Sequence, residues 1–217
     1  SGAYGITISE HMICVLLRMM RRMPEYQALI AQRGWRILGD IRSIYGSTVT
    51  VVGMGDIGSN FGRRLKAMGA TVRGVRRTVR EKPDWADQVF PAERLNEALA
   101  GADVVALCLP GTESTRSLLG QAQFDAMAPG TYVINVGRGT AIDQQALDRA
   151  LRSGRLAGAA LDVATPEPLP QDHFLWDTPN LLLTPHVSGN MSLPRTCELV
   201  IEIFLRNLAH WEKGEPL

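Results

Sequence analysis

The pattern of apolar and polar residues changes once along the chain, near residue 48. Before that point, apolar residues over 12–23 follow a helical spacing, which predicts a buried helix that Pro24 kinks or restarts. The sequence Thr7-Ile8-Ser9-Glu10 has the spacing of a capping box and predicts where this helix begins. After residue 48, short runs rich in β-branched residues alternate with helical runs. This alternation predicts a parallel sheet with right-handed crossover connections.

The alternating part contains six predicted strands and the helices between them. The strands are predicted at 49–52, 71–75, 103–109, 132–136, 157–161 and 180–183. The helices are predicted at 57–68, 93–100, 121–127 and 144–152, followed by a C-terminal helix over 192–211. The predicted fold class is therefore α/β, a doubly wound parallel sheet of the Rossmann type.

Two segments flank the predicted sheet domain, which we bound at residues 47–186. Residues 1–46 and 187–217 are too short to form hydrophobic cores of their own, because chains near or below about 40 residues rarely fold unaided. Their apolar helices must therefore pack on the sheet, pair with another subunit, or belong to a second domain. We favour the last two together.

Composition narrows the classes of partner. Lys and Arg number 23 and Asp and Glu number 22, so a net charge of +1 favours neither nucleic acid nor a membrane surface. The apolar run over 12–17 is shorter than the ~18 residues of a membrane span. Cys14, Cys108 and Cys197 lie far apart without metal-type spacing, which favours free thiols in the cytoplasm and predicts no metal site.

A glycine-rich loop joins the first predicted strand to the helix after it. Gly53, Gly55 and Gly58 form the pattern G-x-G-x-x-G in the context where main-chain N–H groups approach a pyrophosphate. We predict that a dinucleotide binds these glycines together with Asp56 and Ile57 beside them. The alternative is a glycine-rich turn without a ligand. The Asp56 carboxylate is expected to point away from the anion or to cap the helix.

The end of the second predicted strand indicates which dinucleotide binds. An acidic residue there would bind the ribose 2′-hydroxyl of NAD, but the chain has Arg76, Arg77 and Thr78, with Arg80 nearby. A guanidinium group matches a phosphate with two hydrogen bonds, so these residues favour NADP, with NAD as the alternative cofactor. A solvated basic turn without a phosphate is the other interpretation.

Three further polar residues follow apolar strand-like runs: Arg138, Glu167 and His186. Residues at the carboxyl ends of parallel strands converge on one crevice. Reduction of a 2-keto acid develops negative charge on the carbonyl oxygen, so the site needs a proton donor and a cation for the substrate carboxylate. We predict that His186 is the donor, Glu167 favours its protonated form, and Arg138 binds the carboxylate. Each residue alone has an ordinary structural explanation, but together they indicate hydride-transfer chemistry.

Four motifs resemble those of the D-isomer-specific 2-hydroxyacid dehydrogenase family, close to its glyoxylate/hydroxypyruvate reductases. They are Val52-Gly53-Met54-Gly55-Asp56-Ile57-Gly58, Asn135-Val136-Gly137-Arg138-Gly139-Thr140, residues 157–163 through Glu167-Pro168, and Leu183-Thr184-Pro185-His186. The resemblance implies that Arg138 holds the substrate carboxylate and keto oxygen, that Glu167 orients His186, and that His186 is the acid/base. The implied cofactor contacts further include Leu109, Pro110, Val136, Gly137, Gly189 and Asp162, the last on the nicotinamide carboxamide.

Two departures from the family pattern change the prediction. Arg76 stands where the family carries an acid, which moves this chain toward NADP. The family's first segment, which makes most of the substrate domain, is missing before Ser1, so we expect a cofactor-domain fragment that binds NADP(H) but turns over poorly. By resemblance, residues 1–46 are the interdomain helix and dimerisation arm of a homodimer. Residues 187–217 would be a helical segment returning toward the otherwise absent substrate domain.

The predicted function is NADPH-linked reduction of a small 2-keto acid to the D-2-hydroxy acid by an NAD(P)-dependent oxidoreductase. Two alternatives stay open: a dinucleotide-sensing protein similar to the corepressors that share this fold, and an enzyme similar to phosphite dehydrogenase. Formate dehydrogenase relatives are disfavoured, because they normally carry glutamine where this chain has Glu167.

Overall fold

The computed structural model describes residues 2–78 and 81–216, and Arg80 lies outside them. The described residues form a seven-stranded sheet in which every pair of neighbouring strands is parallel. The strands are β1 Thr48–Val52, β2 Thr71–Arg76, β3 Gln88–Pro91, β4 Val104–Leu107, β5 Thr131–Asn135, β6 Leu156–Leu161 and β7 Leu181–Leu183. Their order is β3-β2-β1-β4-β5-β6-β7, so the strand order reverses between β1 and β4.

The helices lie before, between and after the strands. They are α1 Gly5–Met20, α2 Met23–Ala31, α3 Asp56–Ala67, α4 Leu95–Leu99, α5 Gln121–Ala126, α6 Gln144–Arg152 and α7 Pro194–Glu212. Short 3-10 helices occur at Ala92–Arg94, Glu113–Thr115, Gly139–Ala141 and Phe174–Asp177. Pro24 lies in the first turn of α2, where a proline costs no hydrogen bond, so the predicted restart of the helix is confirmed.

Two apolar clusters fill the faces of the sheet and confirm the doubly wound α/β fold class. One contains Phe124 of α5 and Leu147 of α6, both fully buried against the sheet. The other contains Met12 of α1 and Phe61 of α3 on the opposite face. Helix α1 therefore packs on the sheet layer, which is the first of the three arrangements considered for the N-terminal segment.

The C-terminal helix differs from α1 because much of its apolar surface stays exposed. Thr196 is the buried residue of α7. The large apolar residues that α7 leaves exposed are Ile201, Phe204, Leu205, Leu208 and Trp211. Among the described residues, no helix is both long and apolar enough to cross a membrane.

Two predictions about elements are wrong, and each has a physical reason. Helix α1 begins at Gly5 rather than at the predicted capping box, and Tyr4 before it provides no side-chain cap. The Gly5 N–H instead donates to the Asp56 carboxylate at 2.9 Å, so the capping group comes from α3. Strand β3 was not predicted; it is short, lies at the sheet edge and ends in Pro91.

Candidate active site

The candidate functional residues follow a single row of paired residues that crosses the sheet near the carboxyl ends of its strands. The row is Val75, Val52, Leu107, Asn135, Leu161 and Leu183, each paired in register with the next. Arg76 follows Val75 and ends β2, and a loop at the carboxyl edge begins directly after each of the other row members, at Gly53, Cys108, Val136, Asp162 and Thr184. The reversal of strand order between β1 and β4 opens a crevice at this edge, which is where such sheets bind ligands.

The glycine loop after β1 has the shape of a cradle for a pyrophosphate. Gly53 has φ +102°, which favours glycine, and a Cβ there would lie 2.6 Å from the Cys108 carbonyl oxygen. A Cβ on Gly58 would overlap the Gly53 carbonyl oxygen, so α3 starts close behind the loop. A Cβ on Gly55 would meet nothing within 4 Å, so the loop is open on this side. The loop and Ile57 after it therefore fit a dinucleotide at the N-terminus of α3.

Asp56 directs its carboxylate to α1 and to its own helix. Its Oδ2 accepts from the Gly5 N–H at 2.9 Å, and its Oδ1 accepts from Asn60 Nδ2 at 3.0 Å. The prediction that this side chain points away from the anion agrees with these contacts. The carboxylate thus ties the first turn of α1 to the first turn of α3.

The basic residues at the end of β2 and directly after it lie beside the glycine loop. Val75 pairs in register with Val52, and the Gly53 N–H donates to the Val75 carbonyl at 2.9 Å, so Arg76 is adjacent to the loop. Arg77 and Thr78 follow it and are exposed. Within residues 2–78 and 81–216, no acidic side chain forms an ion pair with either arginine. Both guanidinium groups are thus available for a 2′-phosphate.

The loops after β4 and β5 meet along their main chains. A Cβ on Gly137 would lie 2.5 Å from the Leu109 carbonyl oxygen, so the 109–110 and 136–137 segments are in direct contact. Asn135, which is fully buried, holds the turn: its Oδ1 accepts from the Gly137 N–H at 3.0 Å and its Nδ2 donates to the Arg138 carbonyl at 2.9 Å. Sequence reasoning did not assign this role to Asn135, although a buried amide ending an apolar strand is a usable signal.

Arg138 is exposed on the loop that Asn135 holds. Its Nη1 donates to the Gly137 carbonyl at 2.7 Å. The aliphatic part of its side chain lies over Gly111 in the loop after β4, where an added Cβ would be 3.1 Å from Arg138 Cγ. The guanidinium group thus lies at the edge of the crevice, and the loop after β4 contacts the aliphatic part of the Arg138 side chain.

Glu167 and His186 form the contact predicted for them. His186 Nδ1 and Glu167 Oε2 are 2.8 Å apart, and the other carboxylate oxygen accepts from the Ala164 N–H at 2.8 Å. His186 has φ +53°, an uncommon conformation for a residue with a side chain, and its N–H donates to the Asp162 carbonyl at 2.9 Å. Because Nδ1 faces Glu167, Nε2 is the nitrogen left for a substrate.

A cavity of about 780 Å³ lies beside this pair. Glu167 and His186 contribute to its wall together with Asp162, and apolar side chains including Leu169 and Trp176 form much of the rest. The cavity thus places largely apolar surface beside the Glu167–His186 pair. Arg138, by contrast, contacts Gly111 in the loop after β4.

Asp162 is buried beneath the His186 loop and accepts four hydrogen bonds. Oδ1 accepts from Thr184 Oγ1 at 2.5 Å and from the Val187 N–H at 3.0 Å. Oδ2 accepts from the N–H of Ser188 at 3.0 Å and from its hydroxyl. Burial by itself raises the pKa of Asp162, but the hydrogen bonds from Ser188, Thr184 and the main chain outweigh burial and lower it. The carboxylate is therefore charged and engaged by the protein on both oxygens.

Gly189 and Cys108 lie in the segments that follow β7 and β4. Gly189 faces α1, since a Cβ there would lie 2.9 Å from Ile8 Cδ1, and its cofactor contact stays a prediction. Burial raises the pKa of the Cys108 thiol to about 12, so this residue after β4 is not a nucleophile at neutral pH. In the described part of the chain, no three His, Cys, Asp or Glu residues are grouped to hold a metal ion.

Comparison with known proteins assigns this arrangement to a family. The family model for the D-isomer specific 2-hydroxyacid dehydrogenase, NAD binding domain, matches residues 13–188. This chain belongs to that family. The matched range contains every strand of the described sheet together with Arg138, Glu167 and His186. The predicted membership of a family of NAD(P)-dependent oxidoreductases is thus confirmed.

Three relatives of the 2-hydroxyacid dehydrogenase family illustrate the similarity. A family protein from Aeromonas salmonicida superposes with a TM-score of 0.90 and 40% identity, over 100% of this chain and 68% of that one. The NADPH-dependent glyoxylate/hydroxypyruvate reductase of Sinorhizobium meliloti, solved with NADP and sulfate, superposes with a TM-score of 0.89 and 30% identity, with the same coverage. Glyoxylate/hydroxypyruvate reductase A of Serratia proteamaculans is 36% identical over 188 residues, 87% of this chain and 59% of its own length. The chain thus spans 59% to 68% of these relatives.

Proposed function

We propose that this chain carries the cofactor-binding and acid/base half of an NADPH-linked reductase that converts a small 2-keto acid to the D-2-hydroxy acid. The observation that carries the proposal is the 2.8 Å contact between His186 and Glu167 at the sheet edge that also bears the glycine loop and Arg138. The names of the Sinorhizobium and Serratia relatives support glyoxylate and hydroxypyruvate as substrates.

The proposed chemistry divides among three side chains. Arg138 holds the substrate carboxylate, which orients the 2-keto group. Bound NADPH would supply the hydride that adds to C2. Protonated His186 gives its Nε2 proton to the carbonyl oxygen, which becomes the hydroxyl, and is left as neutral imidazole. Glu167 accepts from Nδ1 throughout, so it keeps the ring oriented with Nε2 toward the substrate.

NADP is the proposed cofactor, with NAD as the alternative. The open side of the glycine loop would receive the pyrophosphate, and Arg76 and Arg77 with Thr78 would receive the 2′-phosphate. The main-chain segments at Leu109–Pro110 and Val136–Gly137 would line the nicotinamide side. The NADP complex of the Sinorhizobium relative supports this assignment.

The domain organisation and assembly are also proposals. Residues 47–186 would form the dinucleotide-binding domain, with the N-terminal arm serving a homodimer and α7 returning toward a substrate domain. Exposed apolar side chains support this, because Trp35 is 94% exposed and Ile37 is 84% exposed on the arm, and α7 exposes Phe204. The three free cysteines support a location in the reducing cytoplasm.

The test is reduction of glyoxylate and hydroxypyruvate with NADPH, using the protein at its full natural length because the relatives are longer than this chain. Replacing the proton donor in His186→Ala should lower the turnover rate by about 10²–10⁴-fold while NADPH still binds. His173→Gln is the matched control, since His173 stacks on Phe174 away from the pair. An unchanged rate in His186→Ala contradicts the assignment, and stoichiometric NADPH binding without turnover favours the corepressor-like alternative.

A further inference from the structure

The loop that carries His186 is held from below by one buried carboxylate. Asp162 binds the main-chain N–H groups of Val187 and Ser188, the two residues after His186, and its carbonyl accepts from the His186 N–H. The left-handed φ of +53° at His186 is unfavourable for a residue with a side chain, so it needs such external support. The orientation of the imidazole therefore depends on the position of the Asp162 carboxylate.

Thr184 extends this support to helix α1. Its hydroxyl donates to Asp162 Oδ1 at 2.5 Å, and His11 Nε2 lies 3.3 Å from the same hydroxyl oxygen. A hydroxyl group has one proton, and Thr184 uses it for the carboxylate. The contact with His11 is then a hydrogen bond only if Nε2 carries a proton and donates. The hydrogen bonds thus run in one direction: His11 N–H donates to the Thr184 hydroxyl, and the Thr184 O–H donates to the Asp162 carboxylate.

Helix α1 is a rigid base for this chain of hydrogen bonds. Met12 and Leu16 on the same helix are fully buried in the apolar cluster with α3. Thr7 on α1 adds a second tie, because its hydroxyl donates to the Ser188 carbonyl at 3.2 Å. His11 thus acts from a fixed element on a loop that has no regular secondary structure of its own.

We propose that His11 is a positioning residue for His186. By donating to Thr184, His11 fixes the hydroxyl that donates to Asp162, and Asp162 holds the main chain on which His186 is carried. We call this effect of His11 on the His186 loop the coupling. Its effect on catalysis rests on the proposed function, whereas the coupling itself can be observed in this chain without turnover.

The experiment measures hydrogen exchange of the Val187 and Ser188 amides by NMR in matched variants. His11→Gln and Thr184→Ser keep a donor of similar reach, so exchange should stay within about 2-fold of wild type. His11→Leu and Thr184→Val remove the donor and the hydroxyl, so exchange of both amides should rise by about 10-fold or more. In His11→Asn the shorter side chain stays polar but holds its N–H farther from Thr184, so exchange of both amides should rise as in His11→Leu. The His11→Asn variant replaces His11→Leu if His11→Leu does not fold.

Two controls separate positioning from a general loss of stability. Cys14→Ser changes an exposed residue of the same helix and should leave both amides at the wild-type rate. The amide of Val105 in β4 reports the opening of the core. In the active enzyme, His11→Asn should lower kcat and leave the KM for NADPH unchanged, with kcat rescued in His11→Gln.

The outcomes are distinguishable. Wild-type exchange at Val187 and Ser188 in His11→Leu or His11→Asn overturns the proposal, whatever Thr184→Val does. Acceleration by the same factor at Val105 also overturns it, because the effect would then be global. If the exchange results hold but no 2-keto acid is reduced, the proposed function fails and the coupling stands.

Discussion

The Asp162 carboxylate offers a stability prediction that can be worked out from its hydrogen bonds. Asp162→Asn keeps the size of the side chain but replaces one oxygen by an NH₂ group. Val187 N–H points at one carboxylate oxygen and Ser188 N–H at the other. Whichever way the amide is turned, one main-chain N–H faces the NH₂ group, so either the buried Ser188 N–H or the part-buried Val187 N–H loses its acceptor.

The loss of folding stability in Asp162→Asn follows from this geometry. An unpaired buried donor costs about 1–3 kcal/mol, and the remaining bonds lose their charge-assisted part. Asp162→Asn should therefore lower the free energy of unfolding by about 2–4 kcal/mol at pH 7. Urea unfolding followed by circular dichroism measures this difference. Asp172→Asn is the control, because Asp172 is exposed and should change stability by less than about 0.5 kcal/mol.

The pH dependence gives the same prediction a second test. Since the pKa of Asp162 in the folded protein lies below its ordinary value of 3.8, the charged carboxylate stabilises the fold at higher pH. This contribution is fully present above that ordinary value and is lost as the pH falls through the lower folded-state pKa. The stability difference between wild type and Asp162→Asn should therefore be constant from about pH 7 to pH 5 and shrink below about pH 4. A difference under about 1 kcal/mol at pH 7, or one that grows in acid, refutes the reasoning.

Two further predictions concern the cofactor. Arg76→Asp should weaken NADPH binding by about 10-fold or more while NADH binding changes little, because the variant replaces a phosphate ligand by a carboxylate. Fluorescence titrations with the two cofactors measure this difference. Equal losses of affinity for both cofactors would exclude Arg76 as the residue that selects NADPH. Gly58→Ala should lower the melting temperature by about 3 °C or more, because the added Cβ overlaps the Gly53 carbonyl oxygen. Gly55→Ala should have the melting temperature of wild type, because its Cβ meets open space. Equal melting temperatures for the two alanine variants would contradict the described loop packing.

Much of the fold was predictable because local patterns determine it. Helix α6 occupies Gln144–Arg152, the range predicted from its spacing, and β1 begins one residue before its prediction. Strand β3 escaped prediction because it exists through pairing with β2, as in Arg73 with Gln88, and not through an apolar run of its own. The start of α1 was predicted wrongly because its cap is the distant Asp56.

For the candidate site, the sequence alone determined which residue types follow the strand ends. Parallel strands must deliver those residues to one edge, so Arg138, Glu167 and His186 could be grouped without coordinates. The tertiary structure decided the contacts that depend on packing between distant segments. His11 lies 173 residues before Thr184, and no periodicity in the sequence links the two. Hydrophobic spacing indicates which face of an element is buried. The partner of a buried polar group is instead set by how distant segments pack, here α1 against the loop after β7.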